Sequence, residues 1–184
     1  AYDASSIPEP IKKRARSIGS KDGISSTESL VDYLSKMTEI TFTGDGFHIP
    51  ILMFFDREYK VIDFVSTSFE DQADKYIFWR SAADRVLTNN AHGFVWISEL
   101  WIRNSKINSK KAIREMPIVD ERLQVVGIDS NNHQKVISWK ILRENDSAKP
   151  TLSVAESEDT KEGQAFFMRP VLKAIGGDIS SLNG

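Results

Sequence analysis

Residues 94–102, FVWISELWI, are apolar at nearly every position. Successive side chains of a strand point to opposite faces of its sheet, so a strand apolar on both faces belongs in the middle of a sheet, covered above and below. The rest of the chain must supply the neighbouring strands and the covering layers.

Two further pairs of strands can be read. FHIPILMFF (47–55) is a nearly continuous apolar run, and KVIDFVS (60–66) alternates. The polar residues between them have hairpin length. Pro50 has no amide to donate, so the first strand lies at a sheet edge or starts at Pro50. Farther on, RLQVVGIDS (122–130) and QKVISWKILRE (134–144) are joined by NNH, whose asparagines tolerate positive φ.

The covering layers are helical. SSTESLVDYLSKM predicts a helix of about three turns capped by Ser25 or Thr27, with Glu28 three residues after Ser25 and Leu30, Val31, Leu34 and Met37 on its apolar face. FEDQADKYIFWRSAADRVLTNN predicts a second, capped by Thr67 or Ser68, with an inner stripe of Ala73, Ile77, Ala83, Val86 and Leu87. After a Ser-, Asp- and Glu-rich loop over 144–163, FFMRPVLKAIGG reads as a last helix that Pro170 starts or kinks and Gly176 and Gly177 stop. The expected order is α-β-β-α-β-β-β-α, an α+β fold with an antiparallel sheet of about five strands and flanking helices. Residues 1–26 read as a basic, partly irregular N-terminal arm, and 27–184 as a single α+β domain with a long 103–120 connection.

Composition removes several classes of function. Cysteine is absent, which excludes disulfides, thiolate nucleophiles and cysteine-ligated metal sites. The net charge of -2 gives no overall basic excess, so any nucleic-acid contact would have to be a local patch. There is no apolar run of transmembrane length and no secretory leader at the start as it stands. The charged fraction describes an ordinary soluble surface, and the absence of cysteine makes a cytoplasmic or otherwise intracellular protein the simpler expectation.

The nearest approach to a chemical signature is FFDREYKVIDF (54–64), where Glu58 and Lys60 have the spacing found in metal-dependent nucleases. In that reading Asp45, Glu58 and Glu99 gather around Mg2+ and Lys60 orients the attacking water. The competing reading makes Asp56–Tyr59 the turn of a hairpin, with Glu58 and Lys60 at its tip, and it is preferred because so short a motif arises often by chance. No cofactor is expected on this reading. His48, beside Asp45, can meet Glu99 across the sheet, whereas His92 and His133 fall at a helix-to-strand junction and a turn. Glu99 shares a strand face with Val95, Ile97 and Trp101. Leaving its carboxylate buried and unpaired costs on the order of several kcal/mol, so it needs a partner or a pocket, and an ion pair with an arginine or lysine is favoured.

Two segments, IKKRAR with Lys12, Lys13 and Arg14, and RNSKINSKK with Arg103, Lys106, Lys110 and Lys111, offer phosphate contacts. Trp96 and Trp101 are five residues apart in one strand and point to opposite faces, and Trp139 alternates with Ile141, so at least one tryptophan lies away from a one-sided core. Exposed tryptophans are favoured interface anchors. The function expected is therefore a non-enzymatic module that binds another protein, including a second copy of itself. Its rivals are a metal-dependent phosphodiesterase and a nucleic-acid-binding module using segments 12–16 and 103–114.

Overall fold

A computed structural model describes residues 22–66, 68–69, 72–103, 117–146, 148–158 and 165–179. The basic run at 12–16 and the connection from 104 to 116 lie outside the described residues. So do Thr67, Glu70 and Asp71, expected at the start of the second helix.

Among the described residues the chain runs α1 (Thr27–Asp45), β1 (Ile51–Phe55), β2 (Val61–Ser66), α2 (Gln72–Asn89), β3 (Gly93–Arg103), β4 (Ile118–Asp129), β5 (Gln134–Leu142), β6 (Thr151–Leu152), β7 (Glu156–Glu158), a 3-10 turn (Phe166–Met168) and α3 (Arg169–Ala174). The strands form one seven-stranded sheet in the order β2-β1-β3-β4-β5-β6, with β7 also paired to β5 and every pairing antiparallel. This is the α+β class expected. The central place of β3, between β1 and β4, is the one its two apolar faces require. β1 begins directly after Pro50 and is interior, and the edge strand is β2.

The sheet is covered on both faces. α1 lays Leu30, Val31, Leu34 and Phe42 against Phe55, Val95, Ile97, Leu123, Val125 and Trp139. On the opposite face α2 and α3 bring Trp79, Ala82, Val86, Val171 and Leu172 onto Leu52, Phe54, Phe94, Trp96, Val126 and Ile128. Arg85 on α2 donates through Nε and Nη2 to Asp63 on β2 at 2.8 and 2.7 Å, so the edge strand is tied to the helix beside it.

Several local expectations are corrected. The cap of α1 is Ser26, whose hydroxyl accepts from the Ser29 amide while the Ser29 hydroxyl accepts from the Ser26 amide. The capping box is therefore Ser26–Ser29, and Ser25 and Glu28 are not its members. The helix runs on through Thr41–Asp45, residues of weak helical preference, because Phe42 is carried into the core. The inner stripe of α2 is centred on Trp79, Ala82 and Val86, while Ile77 and Leu87 point outward. The bulky rings at 78 and 79 outcompete the aliphatic positions for the core. The 144–163 segment, read as a loop, contains β6 and β7. Their short polar sequences give no alternation to read, and their place comes from backbone pairing along β5.

Candidate interaction surface

β3 and β4 outrun their neighbours. β1 pairs with β3 over Gly93–Ile97, and β5 pairs with β4 over Arg122–Ile128. Trp101–Arg103 and Ile118–Glu121 therefore continue as a two-stranded ribbon beyond the pairing of both β1 and β5. A two-stranded ribbon buries little of its own apolar surface. Trp101 is accordingly 59% exposed, and Ile102, Ile118 and Val119 are 44%, 43% and 57% exposed. The Arg103 guanidinium carbon lies 6.0 Å from the centre of the Trp101 ring. Ion pairs rim this apolar end: Arg122–Asp120 at 3.0 Å, Arg122–Glu156 at 3.2 Å and Arg143–Glu121 at 2.7 Å.

Of the tryptophans expected as anchors, Trp101 is the surface residue. Trp96 lies under α2, and Trp139 lies in the layer beneath α1, both at most 2% exposed, so the assignment of these two as contacts is corrected to core. Arg103 is part of the ribbon. Lys12, Lys13, Arg14, Lys106, Lys110 and Lys111 lie outside the described residues.

Glu99 sits at the root of the ribbon, half-buried, and accepts a 2.7 Å hydrogen bond from the His48 backbone amide. His48 thus meets Glu99 through its main chain, while its imidazole Nδ1 lies 2.7 Å from the Ile49 carbonyl. Burial pushes the Glu99 carboxyl above its usual range, against the His48 amide and nearby Arg143, which favour the charged form. The guanidinium of Arg143 is itself bonded to Glu121. The arginine ion pair expected for Glu99 is therefore made by its neighbour Glu121.

The hairpin reading of FFDREYKVIDF describes the local geometry. Asp56 Oδ1 accepts from the amides of Glu58 and Lys60, Tyr59 takes φ +60, and the Glu58 and Lys60 side chains pair with each other at 3.3 Å on the surface. Asp45 closes α1. Among the described residues no group of three or more His, Asp or Glu side chains is arranged to hold a metal ion.

A cluster that the sequence reading did not single out lies at the other end of the sheet. The fully buried Asp129 accepts at Oδ2 from the Thr27 hydroxyl at 2.6 Å and at Oδ1 from the Asn131 and His133 amides at 2.8 and 3.1 Å. His133 Nδ1 stands 3.1 Å from Oδ2, and Ser130 Oγ stands 2.8 Å from His92 Nδ1. His92 Nε2 is 3.9 Å from Asp129 Oδ2, beyond hydrogen-bond length, so Ser130, His92 and Asp129 do not form a connected relay. The cluster instead locks the β4–β5 turn to the start of α1. Its one sequence signal is the aspartate heading DSNNH, the position whose carboxylate commonly caps such a turn.

Residues 13–182 match the family model described as bacteriophage lambda protein ea47. A curated relative, protein ea47 of Escherichia phage lambda, is 56% identical over 182 residues, an alignment that covers 99% of this chain and 44% of the relative. The chain therefore spans less than half the length of the curated relative it matches. No solved structure matches.

Proposed function

We propose, from the premise that the chain belongs to the family of bacteriophage lambda protein ea47, that this region acts as a protein-binding module whose contact surface is the two-stranded part of the β3–β4 ribbon. The observation that carries the reading is Trp101. It is 59% exposed on a ribbon that also exposes Ile102 and Val119, while Trp79, Trp96 and Trp139 are all in the core. Rigid aromatic anchors surrounded by polar and charged groups are what protein interfaces use for most of their binding energy. The ion pairs of Asp120, Glu121, Arg122 and Arg143 supply such a rim and hold the root of the ribbon in one geometry. The partner is another protein or a second copy of this chain.

The test compares wild type with Trp101→Ala by sedimentation velocity over a concentration series and by affinity capture from phage-infected host cells. Loss of an anchor of this kind weakens binding by about 30-fold or more. Self-association or capture lost in Trp101→Ala, with an unchanged unfolding midpoint, is the expected result. A variant that associates and captures as wild type does overturns the proposal.

A further inference from the structure

β2 is an edge strand, and among the described residues it pairs with β1 alone. It is also apolar, with Val61, Ile62 and Phe64 all exposed. A strand of that kind with an open side is a template for a further strand. A second copy of this chain carries the same strand, and two such edges can meet antiparallel about a two-fold axis.

Two features work against that meeting. Phe54 pairs with Asp63 and Phe55 with Val61, so Ile62 is an extra residue that bends the edge and leaves Asp63–Ser66 as its regular part. Within that part sits a charge. Asp63 Oδ1 accepts from the Phe64 amide at 2.9 Å, which takes that donor away from any third strand. The same carboxylate is held from α2 by Arg85 Nε and Nη2 at 2.8 and 2.7 Å and by Asn89 Nδ2 at 3.2 Å. The hydrogen bonds from Arg85 hold it below the usual carboxylate range, so it stays charged at neutral pH. Four residues of strand span about 10 Å, so an antiparallel contact between two β2 strands crowds two such carboxylates within a Debye length. We infer that Asp63 closes the β2 edge to a second copy of this chain, with Arg85 and Asn89 holding it in position. The opposite edge is also short and acidic. There β6 and β7 run along β5 in two small pieces, and β7 brings Glu156 and Glu158.

The experiment is sedimentation velocity over a concentration series at neutral pH. All chains carry Trp101→Ala, so the outcome is independent of the ribbon reading. Against that background, Asp63→Val with Arg85→Gln removes the carboxylate without stranding the guanidinium. It is expected to dimerise about ten-fold more tightly than the background chain, or more. Adding Ile62→Lys, a charge on the same edge, is expected to reverse the gain. Arg85→Gln alone leaves the carboxylate on the Phe64 amide and is expected to associate no more than the background. Asp63→Thr with Arg85→Gln is a second form of the open edge, and an unfolding midpoint near the background identifies the form to be read. A folded open-edge variant that associates no more than the background overturns the inference. So does a gain that Ile62→Lys leaves intact, or one that Arg85→Gln alone produces equally.

Discussion

The Thr27 hydroxyl donates a 2.6 Å hydrogen bond to the carboxylate of Asp129, 102 residues away and without solvent exposure. It joins the first residue of α1 to the last residue of β4, so the helix covering one face of the sheet is fastened at its start by the turn that ends the β4 strand. The same carboxylate accepts from two amides of its own turn, which makes the contact part of a network.

Asp129→Ala leaves those donors without their acceptor and is expected to cost about 3–5 kcal/mol in denaturant unfolding. Thr27→Val removes one of them and is expected to cost about 1–3 kcal/mol, with the double variant losing less than the sum. Burial by itself would raise the Asp129 carboxyl, yet the hydrogen bonds from Thr27, His133 and Asn131 outweigh it and hold the group below its usual range. A folded-state value below the unfolded one, about 3.9, means that the stabilisation is complete above the unfolded value and is lost as pH falls through the folded one. The stability gap between wild type and Asp129→Asn is therefore expected to narrow on acidification below about pH 4. A gap that does not change with pH would contradict this.

Glu99 has the opposite sign. Burial raises its carboxyl, so the folded chain holds that proton more tightly than the unfolded chain and loses stability as pH rises through the carboxylate range. Glu99→Gln keeps an oxygen to accept from the His48 amide and removes the charge. It is expected to unfold at a higher temperature than wild type at neutral pH, the difference shrinking in acid, whereas Glu99→Leu loses the acceptor and the gain.

The tryptophans separate core from surface. Trp96→Ala is expected to cost about 3–5 kcal/mol, as for other buried aromatic truncations. Trp101→Ala is expected to stay within about 0.5 kcal/mol of wild type in the same urea titration. A large loss from Trp101→Ala would mean that the ribbon is packed against something, and would weaken its reading as a contact surface.

Two glycines are held by close packing. A Cβ at Gly93 would collide with the Phe55 ring and lie 2.6 Å from the Ile128 carbonyl oxygen, and one at Gly127 would collide with Val31 of α1. Both alanine variants are expected to lose about 1–3 kcal/mol in chemical unfolding. Gly93→Ala is expected to lose more, because a backbone carbonyl in the ladder cannot rotate away.

What could be read from the sequence is what depends on local pattern. The two apolar faces of FVWISELWI place β3 in the middle of the sheet, the polar break at DREY makes a hairpin, and NNH makes a turn in which Asn132 takes φ +62. The apolar face of α1 follows from its 3.6-residue period. Tertiary structure decided the matters that pit distant parts of the chain against one another. Trp79 rather than Ile77 won the inner face of α2 because the larger ring removes more apolar surface from water when it meets Phe94 and Trp96. Trp96 and Trp101, alike in the sequence, parted because α2 covers one while β1 and β5 stop short of the other. Glu99 found a backbone amide rather than the expected guanidinium, and Asp129 gathered donors from α1 and its own turn. In both cases a carboxylate drawn wholly or partly out of water takes whichever donors the packed chain brings within reach, and sequence spacing does not reveal them.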